Sequence, residues 1–264
     1  MALKPRQRRR LIRGLMYGIF VAGFLLTIIV ADWARIQRLF FNVDVMQQML
    51  PDVLAIAARN TLAYTAGSFS FGLVLALILA LMKLSTIKPY RLFATWYIEL
   101  FRGLPALITI ILFGFGLPIA FDGFRLPGGT LVTGSLALGV VAAAYMAETI
   151  RAGVLAVPRG QTEAARSLGM SSSRALASIV LPQAFRIIIP PLTNEFVLLI
   201  KDTSLLFVLG TTPLTKELTK FARDFMTTTR NATPLTVAAI VYLLITLPLT
   251  YLVRRLERRA AVSR

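Results

Sequence analysis

The chain has 264 residues, 56% of them hydrophobic and only 16% charged, where an ordinary soluble domain carries about 25% charged residues. Its charges gather in short segments between long apolar runs, which argues against a soluble globular domain and fits a helical membrane protein. The net charge of +17 sits in separate basic islands rather than on one face, which argues against a nucleic-acid partner, and the lack of Cys and His removes disulfides, thiolate nucleophiles, His-based acid–base catalysis and ordinary zinc sites.

Residues 1–14 form a basic segment, with six Lys/Arg between Lys4 and Arg13. The first apolar span follows at Leu15–Ala31. A basic start before an apolar stretch also fits a signal peptide. The stretch is 17 residues long, however, and Ile29 stands where cleavage after Ala31 would ask for a small residue, so a retained N-terminal helix is the favoured reading. Residues 32–60 read as an extracytoplasmic or interfacial segment. The remaining spans are expected at Thr61–Met82, Leu92–Ala120, Leu131–Glu148, Ile187–Leu209 and Leu235–Val253, all inside a transmembrane domain over residues 61–253. About 20 residues at 1.5 Å each cross a hydrocarbon core of roughly 30 Å, and unpaired amides are not tolerated there, so all six spans are expected to be helices. The third is long enough to include an interfacial turn. A basic tail, residues 254–264, closes the chain.

Orientation follows from the islands. Lys4–Arg13, Lys83–Arg91, Arg151–Arg186 and Arg254–Arg264 hold 6, 3, 5 and 5 Lys/Arg. The segments on the other side, 32–60, 121–130 and 210–234, hold 3, 1 and 4. The positive-inside rule therefore puts both termini in the cytoplasm.

Within the fourth span Ser135, Gly139, Ala143 and Ala147 recur every four residues, a stripe where another backbone can approach closely. Pro105, Pro190, Pro191 and Pro248 are expected to start or kink helices, because proline removes a backbone donor.

The polar loop 151–186 fits two short helices. Thr162 can cap the first, with Glu163 in its first turn, and Gly169 supplies a left-handed stop. Ser171 or Ser172 can cap the second, which is expected to end near Pro182. Ala164, Ala165 and Leu168 make a narrow apolar edge, flanked by Glu163 and Arg166. Such a hairpin can enter a groove on a partner or lie on the membrane surface.

The run Glu163-Ala164-Ala165, three residues, Gly169, nine residues, Ile179, one residue, Leu181-Pro182 resembles the EAA motif of ABC importer permeases at every spacing. Tyr145-x-x-Glu148-x-x-Arg151-x-Gly153, Pro158-Arg159-Gly160-Gln161, Glu99-x-x-Arg102-Gly103-x-Pro105 and Lys201-Asp202-Thr203-Ser204-Leu205 resemble its polar amino-acid branch, the histidine, glutamine, glutamate and arginine type. The likeness covers residues 60–259, so the first span is an addition to a five-helix core. It implies an all-α membrane subunit whose loop is a coupling helix, docking a cytoplasmic ABC ATPase through Glu163, Ala164, Ala165, Arg166, Leu168 and Gly169, with Ile179, Leu181 and Pro182 completing the motif. It further implies an extracytoplasmic solute-binding protein and a second permease copy or a related permease.

The chain has no GxxxxGK[ST] phosphate loop, and Gly210–Lys216 lacks its second Gly and its Ser/Thr. No cofactor is therefore expected on this chain itself, and ATP and Mg are expected to be used by the partner. Charges within the spans are expensive in lipid, so Glu99, Arg102, Glu148, Arg151, Glu195, Lys201 and Asp202 are expected to face the bundle interior or a wet cavity. Glu99, Arg102, Glu148, Lys201 and Asp202, with the neighbouring hydroxyls of Thr203 and Ser204, are candidates for a translocation path or gate, or for structural pairing. Lys201 and Asp202 are expected near mid-span. The expected function is the membrane subunit of an ATP-driven importer for a polar amino acid. Alternatives are a permease for an opine or small osmolyte, and a channel or scaffold with no ATPase.

Overall fold

The computed structural model describes residues 5–262, so Lys4 and Arg264, in the two basic terminal segments, lie outside the described residues. The described residues fold as helices without a strand. Five helical stretches are long and apolar enough to cross a membrane, and a bent pair makes a sixth if it counts as one span.

Helix α1 (Pro5–Val30) is exposed along its described length, and a β-carbon added at Gly14, Gly18 or Gly23 would meet no neighbouring element within 4 Å. Next come α2 (Trp33–Phe40) and α3 (Val43–Asp52). Asp32 caps the first by accepting the Arg35 N–H at 2.9 Å, and Asn42 caps the second by accepting the Val45 N–H at 3.2 Å. From α3 the helix runs on through a π turn (Val53–Ala58) into α4 (Arg59–Leu84). The second span is thus part of a run that begins at Val43 rather than near Thr61. At 1.5 Å per residue this run is about 60 Å long, twice the hydrocarbon core. Its early part is held by a satellite core, in which Met49, Val53 and Ala57 meet Leu218, Val237 and Val241.

The third span is broken. Helix α5 (Lys88–Gly103) is followed by α6 (Ala106–Ile111), a π turn (Leu112–Gly116) and α7 (Leu117–Ala120), and the two halves meet at 103°. Leu104 precedes a proline and is extended at φ −87, ψ 139, while Pro105 offers no N–H to continue the ladder.

Helix α8 (Gly129–Leu155) packs face to face with α4 in the main core. The small-residue stripe makes this possible. A β-carbon on Gly72 would stand 2.9 Å from the Gly139 carbonyl oxygen, and one on Gly139 would stand 3.0 Å from the Ser68 carbonyl oxygen. Two backbones meet there with no room for a side chain, which is how helices associate without a hydrophobic drive.

Helices α9 (Arg159–Ser167) and α10 (Ser172–Ala175) form a hairpin. A π turn (Leu176–Val180) then leads directly into α11 (Leu181–Asp202) and a 3₁₀ turn (Thr203–Val208). The helical stop expected near Pro182 is absent. Leu181 donates to the Leu176 carbonyl five residues back, and Leu117 donates to Leu112 in the same way. Each of these residues precedes a proline, Pro182 and Pro118. The wider turn gives the proline ring room that an α-turn would deny, so the helix swells instead of ending. Pro190 and Pro191 lie inside α11, and Pro248 inside α13 (Thr233–Val262). Between these two spans, α12 (Leu218–Thr229) rests on α13.

Candidate functional site

The loop hairpin starts four residues earlier than its polar residues suggest, at Pro158 rather than Thr162. Pro158 holds the N-cap position and makes no side-chain cap, and Thr162 lies inside α9, half-buried. Glu163 is therefore the fifth helical residue, past the first turn. The end of the helix is as expected. Gly169 has φ +84, in the left-handed region, and the chain closes with Met170 N–H on the Ala165 carbonyl at 3.1 Å and Gly169 N–H on the Arg166 carbonyl at 3.0 Å. Ser171 caps α10 by accepting the Arg174 N–H at 3.3 Å.

Two faces of the hairpin differ. Val157, Ala165, Ala175 and Val180 are buried and hold it together. Gln183 donates its Nε2–H to the Ile179 carbonyl at 2.9 Å and lies 3.5 Å from Gln161, which ties α9 to the start of α11. Outward face Glu163, Ala164, Arg166 and Leu168, the last 85% exposed. Ala165 turns inward, so the apolar edge presented outside consists of Ala164 and Leu168. Ile179 and Leu181 are half-buried, and Pro182 is exposed.

The charged candidates separate into two clusters. At the hairpin end, Glu148 accepts both Arg151 Nε–H contacts, at 3.0 and 3.1 Å, and the Lys83 Nζ–H at 3.1 Å. This cluster links α8 to α4. Lys83 was not among the expected partners of Glu148.

The second cluster lies deeper. Glu195 and Asp202 line a small cavity of about 40 Å³ with Tyr145 and Ala106, between α6, α8 and α11. The Arg102 guanidinium stands 5.6 Å from the centre of the Tyr145 ring, and Arg102 is within electrostatic reach of Glu195. A cavity of this volume holds a water and no larger solute. Glu195, expected from the sequence only to face the bundle interior or a wet cavity, lines this one. Its signal was the spacing to Asp202: seven residues are two helical turns, which puts both carboxylates on one face.

The other candidates fall outside this cavity. Glu99 is exposed and makes no ion pair with Arg102. Lys201 is exposed, Ser204 is half-buried, and Thr203 is fully buried with its hydroxyl on the Ile200 carbonyl at 2.7 Å. Lys201 and Asp202 mark the end of α11, where it tightens into the 3₁₀ turn, rather than the middle of a uniform span.

At the far end from the hairpin, the segment before α12 is fastened to the top of α4. Asn60 donates to the Leu214 and Lys216 carbonyls at 2.7 and 3.0 Å, and Tyr64 donates to the Thr215 carbonyl at 3.1 Å. Glu217 caps α12 and is fully buried. It accepts the Thr219 and Lys220 N–H groups, both at 2.6 Å, and the Tyr242 hydroxyl at 3.2 Å. Burial pushes its carboxyl up to about 7, against the pull of these hydrogen bonds.

Residues 72–262 match the family described as binding-protein-dependent transport system inner membrane component. A probable glutamine ABC transporter permease of Bacillus subtilis is 39% identical over 204 residues, covering 75% of this chain and 87% of its own. An arginine transport system permease of Corynebacterium glutamicum is 35% identical over 243 residues, covering 87% of this chain and 76% of its own. A crystal structure of an amino acid ABC transporter with histidines shares the fold at a TM-score of 0.73 and 35% identity, covering 81% of this chain and 96% of that one. A methionine ABC transporter in an inward-facing conformation, 19% identical with a TM-score of 0.66 over 81% of this chain and 98% of that one, shares the fold.

Proposed function

The chain belongs to the family of binding-protein-dependent transport system inner membrane components, and from that premise we propose that this ABC importer permease admits a polar amino acid delivered by an extracytoplasmic binding protein. The hairpin end faces the cytoplasm and docks a separate ABC ATPase, which holds the ATP and Mg. A second copy or a related permease completes the path. The glutamine and arginine permeases among its relatives support the substrate class.

The observation that carries this reading is the continuity of one helical run. From Ser172 to Val208 the chain is helical, with the hairpin at one end and Glu195 and Asp202 near the other. Thirty residues separate Ser172 from Asp202, about 45 Å at 1.5 Å each. The hairpin therefore has a continuous helical connection to the acidic cavity, with a π turn and Pro190 and Pro191 inside it, along which a displacement passes. Glu163 and Arg166 orient the hairpin in a groove of the ATPase, and Ala164 and Leu168 fill it. Gly169 keeps the turn short.

In the cavity, Glu195 and Asp202 match a substrate ammonium and Tyr145 supplies a flat apolar wall, while Arg102, outside the lining and over the Tyr145 ring, matches a carboxylate. The closed volume of about 40 Å³ fits a resting state, and the site opens when the helical run moves. Translocation needs only that ATP binding in the partner favour one state of the run, a few kcal/mol of differential binding.

The test is co-purification of the ATPase with the Gly169→Arg variant. The variant inserts normally and loses the ATPase. Wild-type levels of bound ATPase with normal uptake would contradict the docking role.

A further inference from the structure

A second cavity, of about 390 Å³, opens at the hairpin end between the α4–α5 turn and the end of α8. Lys83, Arg91 and Arg151 line it, together with Thr86, Thr95 and Leu155. Only Glu148 offsets these cations, and it is shared between Lys83 and Arg151. Three positive charges against one negative leave the pocket basic. Arg91 is exposed, and its guanidinium makes no ion pair or hydrogen bond among the described residues, nor do the Thr86 and Thr95 hydroxyls.

The surroundings say what approaches this pocket. Helix α5, which supplies Arg91 and Thr95, presents Leu92, Phe93 and Trp96 to the outside, Trp96 being 61% exposed. Leu155 on the rim is 59% exposed. Aromatic and aliphatic side chains beside basic ones mark the depth of the lipid headgroups. The volume lies within the range of small-ligand sites.

We propose that this pocket binds a phosphoryl group of single negative charge, supplied by the headgroup of an anionic phospholipid, with Arg91 and Arg151 on the phosphate oxygens, the threonine hydroxyls donating beside them, and the acyl chains along α5 and Leu155. Basic pockets between spans at the cytoplasmic side suit such headgroups. The lipid ties the α4–α5 turn to the end of α8, next to the hairpin. The inference rests on the spans and not on which solute is carried, so its failure leaves the transport reading untouched.

The test is native mass spectrometry of the full chain, released from nanodiscs of phosphatidylglycerol and phosphatidylcholine in equal amounts. Wild type retains phosphatidylglycerol in preference to phosphatidylcholine. The Arg91→Gln variant loses about fivefold of that preference, the scale of one basic side chain at an anionic surface. Arg255→Gln, an exposed arginine in the last helix, leaves it unchanged. Equal retention of both lipids overturns the proposal, as does a preference that Arg91→Gln does not alter. Displacement by millimolar inorganic phosphate assigns the pocket to a free anion and overturns the lipid source. Loss of the lipid whenever the ATPase is bound assigns it to the subunit interface and also overturns it.

Discussion

Glu195 and Asp202 stand two turns apart on α11 and line the same cavity, facing the Tyr145 ring that Arg102 covers. Two half-buried carboxylates facing one cavity inside a membrane bundle are expensive unless they serve something, and the exposed Arg102 stands beside them. Both carboxylates are assigned to the path. Glu195→Gln and Asp202→Asn should each lower uptake at least tenfold while the amount of inserted protein and of bound ATPase stays at wild-type level. Labelled amino-acid uptake, normalised to immunoblot, checks this, and uptake within twofold of wild type would remove the pair from the path.

The hairpin gives a different pattern. Leu168 is exposed and holds nothing together within the chain, whereas Ala165 is buried. Leu168→Asp should therefore release the ATPase without changing the melting temperature of the isolated chain. Ala165→Asp should lower that temperature as well, because it buries an unpaired charge. Measuring both quantities on both variants separates docking from hairpin stability. Gly169→Ala is intermediate: its left-handed φ adds roughly 1–2 kcal/mol of local strain, so the hairpin frays but the turn survives.

The hairpin was largely legible in the sequence, and the reasons are local. Gly169 and Ser171 act through contacts within a few residues, so their chemistry identifies them. Thr162 misleads because Pro158 already provides a start, and the helix claims Thr162 for its interior. The break at Leu104–Pro105 was visible as a turn, but its 103° depends on how α5 and α6 each pack against α8. The long run from Val43 was hidden by Pro51, Asp52 and Arg59, which interrupt the apolar pattern. Its stability comes from Leu218, Val237 and Val241, far along the chain and unreadable from local pattern. The Glu195–Asp202 pair lay within reach of simple helical spacing.

The small-residue stripe predicts a sharp contrast between glycines. Gly139→Leu must drive a side chain into the Ser68 carbonyl and the Phe71 ring. Overpacking of this kind destabilises by about 1–3 kcal/mol or more, and here the neighbour is backbone that cannot yield. The variant should be lost from the membrane fraction. Gly103→Ala has open space around it and should be recovered at normal yield. Equal yields for the two would contradict the backbone-to-backbone packing of α4 and α8.

Glu217 gives the pH dependence. Its folded-state carboxyl titrates near 7, above its ordinary value of 4.5, because it is buried. The folded chain therefore holds a proton that the unfolded chain gives up. The stabilisation is full below pH 4.5, falls as pH rises through 7, and is flat above that. A shift of this size corresponds to about 3 kcal/mol. Melting temperature should fall between pH 4.5 and 7.5 in wild type, and Glu217→Gln should flatten the curve in that window. A wild-type curve that rises with pH would contradict the assignment.

The most direct test of the central claim is uptake by proteoliposomes holding this chain with its ATPase and binding protein, supplied with ATP inside and a panel of labelled polar amino acids outside. At least one amino acid is expected to accumulate above its outside concentration, dependent on ATP and abolished by Leu168→Asp. Passage that needs no ATP, or accumulation that survives Leu168→Asp, would contradict it.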